Sequence, residues 1–419
     1  MKRFTLYLCL VVLCMLLSVI ASPSLFAASS KTAAAAHPSM PVCPGAVAGA
    51  ARCHAVVVTD SHGVPLASSS PPPGSYGPVQ FHGGYNLPCS VGGTSAQAVC
   101  ATPSSFGGQT IGIVDAYNDP TIESDLSVYD TQYGLPPCTT ANGCFSKVNQ
   151  TGGTSYPKTN AGWALEISLD VETAHEICQT CKILLVEASS NSNSNLAAAV
   201  NEAAKLGATE ISNSYGGSES SGETTYDSSY NHSGIALTAS SGDGGYGVEY
   251  PAASRYVVAV GGTTLNLTSS NTYSSESAWS SAGSGCSSYE TANAWQTAVS
   301  DWSQTGCGTK RGVADVSADA DPNTGAAVYD STRYQGQAGW FQVGGTSLSS
   351  PLIASVFALA GGTSSYANAQ QVPYVKFTSS DSHDVTTGSN GNCGTIMCNA
   401  TTGYDGPTGL GTPNGTGGF

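Results

Sequence analysis

An α/β fold, with a mostly parallel sheet covered by helices on both faces, is predicted from three features of this 419-residue chain. Apolar runs of strand length alternate with stretches of helical spacing, turn residues bound the runs, and the alternation lasts for roughly 300 residues. The first unit opens with Thr110-Ile-Gly-Ile-Val-Asp115, followed by a helix-like stretch around Pro120 to Tyr133. Gly162 to Ile177 reads as a helix, Lys182-Ile-Leu-Leu-Val-Glu187 as a buried strand, and Asn195 to Leu206 as a helix of Ala, Val and Leu. Thr209–Asn213, Ile235–Ala239 and Tyr256–Val260 read as further strands. A catalytic domain over residues 106–419 is long enough to bury a full core.

The chain before it has a different texture. Lys2 and Arg3 precede an uncharged apolar run from Phe4 to Ile20 and small residues through Ala27 to Ser30, the pattern of a signal peptide over residues 1–27. Ser22, Pro23 and Ser24 interrupt the run, which favours cleavage over a retained anchor, so a secreted, extracellular protein is expected. Residues 28–105 are rich in Ala, Ser, Pro and Gly, and Ser68 to Tyr76 is not expected to join a regular core. This reads as a low-complexity leader or short propeptide-like segment.

Charge excludes some partners. Thirteen basic side chains face 28 acidic ones, a net charge of −15, and losing Lys2 and Arg3 makes the remainder more negative. Nucleic acid is not an expected partner, since phosphate binding needs clustered Lys and Arg. Nor is a membrane once the signal is removed, and a monomer is expected. Only 10% of residues are charged, which limits the acid-unfolding penalty of paired carboxylates and suits work at low pH.

Of 14 cysteines, Cys9 and Cys14 lie in the signal. The other twelve fall into six close neighbours, 43/53, 89/100, 138/144, 178/181, 286/307 and 393/398, and local pairing is expected although spacing alone does not fix connectivity. Cys178-Gln-Thr-Cys181 has redox-motif spacing but lies between a helix and a strand, the reverse of that motif's order, so it reads as a structural staple.

Chemistry concentrates in three places. Gly344-Gly-Thr-Ser347-Leu-Ser-Ser-Pro351 sets a serine just ahead of an apolar helix, where the hydroxyl can be exposed and the helix dipole favours developing negative charge. A Ser/Thr helix cap would look the same in isolation. A serine nucleophile needs a base. Subtilisin-like enzymes supply a histidine in a His-Gly-Thr context, which is absent here; His175 sits in Thr-Ala-His-Glu. The chain offers instead Glu166 and Asp170, four apart and so on one helix face, an arrangement that costs a helix a few tenths of a kcal/mol. Asp243, among glycines directly after an apolar strand, falls where α/β sheets bind ligands; it could close a turn or, protonated, donate to an oxyanion.

In this order the three motifs resemble the sedolisin (serine-carboxyl peptidase) family, which has a subtilisin-like fold. Tyr250-Pro-Ala-Ala-Ser254, Val260-Gly-Gly-Thr-Thr264 and Asp315 to Pro322 resemble its connecting signatures, so the likeness extends over about residues 106–419. The resemblance implies an acid-acting endopeptidase on protein or peptide substrates. It implies Glu166 as general base and acid, Asp170 as its orienting partner, Ser347 as nucleophile and Asp243 as oxyanion stabiliser. His383 to Thr386 and Thr402 to Gly411 resemble the family's calcium site, which implies one structural Ca2+ held by the Asp384 and Asp405 side chains and the carbonyls of Val385, Thr401 and Gly403. Thr401 stands where the family usually has glycine. Asp319-Ala-Asp321-Pro-Asn323 echoes an EF-hand start but lacks the glycine that loop requires, and reads as a turn. The short leader departs from the family's large folded prodomain.

Two other readings compete: a subtilisin-like peptidase using Asp115, His175 and Ser347, and a catalytically silent exported binding protein on the same scaffold. The first requires turnover to collapse when His175 is replaced; the second requires no peptide cleavage at any pH.

Overall fold

The computed structural model describes residues 37–45 and 47–419, so the signal-peptide expectation lies outside the described residues. Three short strands come first, β1 (Ser39–Pro41), β2 (Arg52–Cys53) and β3 (Val56–Val58), then helix α1 (Pro78–Gly84). The main sheet begins with β4 (Thr110–Ala116), followed by α2 (Ile122–Tyr133), β5 (Phe145–Asn149), α3 (Ala161–Ile177), β6 (Lys182–Ala188) and α4 (Asn193–Lys205). Next come β7 (Glu210–Asn213), β8 (Tyr215–Ser218), β9 (Ala236–Ser240), β10 (Glu249–Tyr250), β11 (Val258–Leu267) and β12 (Tyr273–Ala278). An antiparallel pair, β13 (Gly285–Thr291) and β14 (Lys310–Val313), brackets two single-turn helices, α5 (Ala294–Thr297) and α6 (Trp302–Thr305). Beyond them lie β15 (Val316–Asp319), β16 (Ala326–Tyr334), β17 (Gln337–Gly344) and α7 (Thr346–Leu359).

The central sheet runs β12-β11-β9-β7-β4-β6-β5, with β15 also on β11. Every pairing in it is parallel except β11 with β12. That meets the α/β expectation, and the strands foreseen at 110, 182, 209 and 235 lie within two residues of their observed starts. The fifth, expected at Tyr256–Val260, begins at Val258 and continues to Leu267.

Two helices position the chemistry. Asn160 caps α3, its side chain accepting N–H bonds from Gly162 and Trp163, which satisfies two of the four free donors of a helix start. From Trp163 to Ile177 every residue of α3 is buried, and all of α7 is buried too, so both are central helices without a solvent face. They lie against each other. Pro351 sits inside α7 and has no N–H for the Ser347 carbonyl four residues earlier. The Ser214 hydroxyl donates to that carbonyl instead, at 3.3 Å.

The leader departs from expectation. Residues His37 to Phe419 form one compact unit, with no break at residue 105. Val42, Ala51, Ala55, Val57, Phe81, Tyr85 and Leu87 are core residues. β2 pairs with β8, and β3 lies between β1 and β17. Even Ser68 and Tyr76 make backbone bridges, to Trp340 and Ala326. The segment is ordered by docking on strands far away in sequence, which its composition does not reveal.

All six expected cysteine pairs are disulfides. Cys178–Cys181 is fully buried at the end of α3, as a structural staple should be. Asp321 accepts N–H bonds from Asn323, and Asp319 the Thr324 hydroxyl, so the segment resembling an EF-hand is a turn. Among the described residues no helix is long and apolar enough to cross a membrane.

Candidate active site

The site lies at the C-terminal edge of the parallel strands, where β4 ends near Asp115, β7 leads into Ser214, and β9 leads into Asp243. The N-terminus of α7 points into this edge. Gly345 precedes it with φ of +93°, and a Cβ there would come within 1.9 Å of the His54 carbonyl oxygen and 2.9 Å of Asp243. Only glycine fits this conformation and this contact.

Ser347, in the first turn of α7, is fully buried. Its hydroxyl donates to the Ser214 carbonyl at 3.2 Å, and its backbone N–H donates to the His54 carbonyl at 3.4 Å. Glu166 and Asp170 project from the same face of α3 and are also fully buried. Glu166 Oε2 accepts the backbone N–H of Ala55 at 3.0 Å, while its Oε1 and both oxygens of Asp170 have no hydrogen-bond partner. Burial holds the Glu166 carboxyl well above the ordinary range, and the charge of Asp170 raises it further; the nearby Ser347 hydroxyl acts in the opposite direction. Burial likewise raises Asp170, tempered by Ser214.

A third acid joins them. Carboxylate oxygens of Asp115, Glu166 and Asp170 all lie within 4.8 Å of one another. Burial, then the charges of Asp170, Glu166 and Glu187, push the Asp115 carboxyl well above its usual value. Three desolvated carboxyls at this separation cannot all ionise, so they hold one or more protons among them. Sequence reasoning placed Asp115 only in the histidine-based alternative; the cue was its position at the end of the first parallel strand.

Asp243 sits beside the start of α7, its Oδ1 accepting the N–H and hydroxyl of Thr346, both at 2.8 Å. Burial raises its carboxyl, opposed by the nearby His54 and Arg52 and by the Thr346 bonds. The four residues singled out from sequence therefore converge. His175 does not: nine residues beyond Glu166 on α3, it is roughly 13 Å further along the helix axis. There its Nε2 contacts the Pro136 carbonyl at 2.9 Å and Asp130 at 3.2 Å. The alternative that uses His175 as base is overturned by this placement. His54 lies closer, but Ser240 (2.7 Å) and Glu249 (3.0 Å) engage both its ring nitrogens.

The residues expected to bind calcium gather near the C-terminus, behind the antiparallel pair β18 (Ser382–His383) and β19 (Thr412–Pro413). Asp384 accepts the Gly403 N–H, and Asp405 accepts the Thr401 and Thr408 N–H groups. Val385 is buried between them in sequence. Burial, with the charge of Asp384 adding to it, pushes the Asp405 carboxyl up to about 8. Burial also raises Asp384, with Asp301 contributing. Asp301, which accepts the Tyr404 N–H at 2.9 Å, is an acid that sequence reasoning missed. Oxygen ligands of this kind are what a hard divalent cation takes, but Asp301, Asp384 and Asp405 are not among the acid groups whose ligand atoms lie within 4.8 Å of one another, and their oxygens accept backbone N–H bonds.

The Subtilase family matches residues 155–395. The chain is similar to sedolisin of Pseudomonas sp. (strain 101), 31% identical over 354 residues, covering 72% of this chain and 58% of that protein. It is also similar to kumamolisin of Bacillus sp. (strain MN-32), 29% identical over 383 residues, 83% of this chain and 64% of that protein. Xanthomonalisin of Xanthomonas sp. (strain T-22) is 36% identical over 191 residues, 40% of this chain and 21% of that protein. The chain thus spans less than two thirds of each relative. A solved structure of Pseudomonas sedolisin, a serine-carboxyl proteinase complexed with two molecules of pseudo-iodotyrostatin, superposes with a TM-score of 0.63 at 26% identity, covering 83% of this chain and 96% of that one.

Proposed function

Since the chain belongs to the subtilase family, in its sedolisin branch, we propose that it is a secreted serine-carboxyl endopeptidase acting on protein or peptide substrates at acidic pH. The observation that carries this reading is the buried cluster of Asp115, Glu166 and Asp170 beside Ser347, with no imidazole nitrogen directed at the hydroxyl among the described residues.

The Ser347 hydroxyl turns from the Ser214 carbonyl toward Glu166 and attacks the substrate carbonyl as Glu166 takes its proton. Asp170 and Asp115 each hold a proton, so the cluster carries a single negative charge, on Glu166, in a dry site. The tetrahedral oxyanion is met by the Ser347 N–H, by the N-terminal end of α7 and by protonated Asp243. Glu166 then returns the proton to the leaving amine, and water resolves the acyl-enzyme by the same route. Acid action follows from Asp243: its carboxyl donates only while protonated, and activity fades as pH rises through its elevated pKa.

Asp384 and Asp405, with the Val385, Thr401 and Gly403 carbonyls, would hold one structural Ca2+ that neutralises this acidic loop; no step of the reaction uses it. Six disulfides suit an oxidising, extracellular setting, and the proposed working form is a monomer. Ser347→Ala tests the reading: a folded variant should lose turnover of denatured protein near pH 4 by at least about 10⁴-fold. Undiminished cleavage by that variant would remove Ser347 as nucleophile, and a wild type silent from about pH 2 to 7 would favour the binding protein.

A further inference from the structure

The leader crosses the candidate active site as an extended strand. On one side of Ser347, Arg52 and Cys53 pair antiparallel with Gly216 and Tyr215 of β8, and the His54 N–H donates to the Ser214 carbonyl at 3.2 Å. On the other side, Val56 and Val57 pair antiparallel with Gly344 and Val343 of β17. Main-chain ladders on both sides of one point are how an extended peptide is held by sheet edges.

That point is the His54–Ala55 peptide bond. Its carbonyl oxygen accepts the Ser347 N–H at 3.4 Å, and its nitrogen donates to Glu166 at 3.0 Å. A bond about to be cut needs both contacts: a donor where the oxyanion forms, and the acid beside the amine that leaves.

Side-chain recognition matches. His54 is fully buried, with Nδ1 on Ser240 Oγ at 2.7 Å and Nε2 on Glu249 Oε2 at 3.0 Å. Two residues earlier, on the same side of the strand, Arg52 contacts the other oxygen of Glu249 at 3.0 Å. Burial pushes the Glu249 carboxyl up, but His54 and Arg52 outweigh it and bring it down to about 2. A Cβ at Gly216 would fall 2.7 Å from the imidazole and 3.0 Å from Glu249, so glycine there keeps the pocket open.

We infer that the chain cuts its own His54–Ala55 bond, and that Glu249 with Ser240 forms the pocket selecting a histidine or other basic side chain before the scissile bond, with arginine two residues earlier. This rests on the peptidase reading above. Ser347 Oγ adds to the His54 carbonyl carbon while its proton passes to Glu166; the bond to the Ala55 nitrogen breaks and receives that proton. Water then hydrolyses the ester, leaving a His54 carboxylate and free Ser347. The disulfides permit release: Cys43–Cys53 lies wholly before the bond and the other five wholly after it. Ser347 has no solvent exposure with the strand seated, so removing it opens the cleft to other substrates.

The test follows the full chain, purified near neutral pH and moved to about pH 4, by intact mass and N-terminal sequencing, with activity on denatured protein measured in the same samples. Wild type should acquire an N-terminus at Ala55 as activity rises, and Ser347→Ala should not. In trans, the processed enzyme should cleave a synthetic peptide of residues 49–59, Cys53 replaced by serine, between His54 and Ala55. A peptide carrying His54→Glu, which meets the Glu249 carboxylate, should lose about 30-fold or more in kcat/KM. This second assay stands whether or not a Glu249→Gln protein folds. A chain that degrades denatured protein while intact at 54–55, or that is cut at another bond, overturns the inference and leaves the peptidase reading in place. If neither its own bond, the peptide nor denatured protein is cut, both fall.

Discussion

At the scale of single residues, the chemistry depends on desolvation more than on any special side chain. Glu166 and Asp170 are ordinary acids four apart on a helix; burying them against Asp115 gives them affinity for a proton at the pH where a base must both take and return one. Their pairing was legible in the sequence because exposed like charges at this spacing are unfavourable and a functional arrangement explains them. Asp115 and Asp301 were not, since neither stands near its partners along the chain. His175 shows the converse, a histidine whose sequence neighbourhood is suggestive but which helix geometry sends to Asp130. His175→Gln should therefore keep kcat/KM within about threefold while lowering stability by about 1 kcal/mol. Turnover assays and urea unfolding of the variant check both halves; collapse of turnover would restore an imidazole mechanism.

Among elements, the parallel strands and the helices α3 and α7 were readable because their apolar residues recur at strand or helix spacing, although nothing in that spacing shows that the acids of α3 are buried with them. The leader was misread because its order is non-local. β2 and β3 contribute five residues between them, and their partners β8 and β17 lie more than 150 residues away. Serine, proline and glycine around them carry no sign of that docking. The C-terminal loop bearing Asp384 and Asp405 offers a prediction at this scale. Chelation of the folded protein with EDTA should lower Tm by several degrees, and adding back Ca2+ but not Mg2+ should restore it. A Tm indifferent to EDTA would remove the calcium assignment.

For the whole molecule, buried acids set the dependence of stability on pH. Burial pushes Glu176 and Glu210 up to about 8 and Glu276 up to about 7, and burial with the charge of Asp119 takes Asp330 to about 9. In the unfolded chain these carboxyls titrate near 4.5 or 3.8. Their folded pKa values are raised, so the folded chain holds protons the unfolded chain has lost. Their stabilising contribution is full below about pH 4 and disappears as pH rises through 7 to 9. Glu249, lowered to about 2, acts in the opposite sense: its stabilisation is present above its unfolded value of 4.5 and disappears as pH falls through about 2. Tm should accordingly be highest near pH 4 and fall by roughly 5–15 °C by pH 8; a curve rising toward neutrality would contradict it. A low charged fraction pointed toward acid tolerance, but the larger cause, acids held neutral inside the fold, depends on burial that composition does not report.

The most direct measurement of the mechanism is the pH dependence of kcat/KM on denatured protein for wild type and Glu166→Gln, side by side. Wild type should be most active in acid. Glu166→Gln, folded to the same Tm at pH 4, should lose about 10³–10⁴-fold at every pH, because glutamine can neither take the Ser347 proton nor return it. A Glu166→Gln protein with wild-type rates, or a wild type whose activity rises with a group titrating near 6.5 as an imidazole would, would show that a carboxyl is not the base.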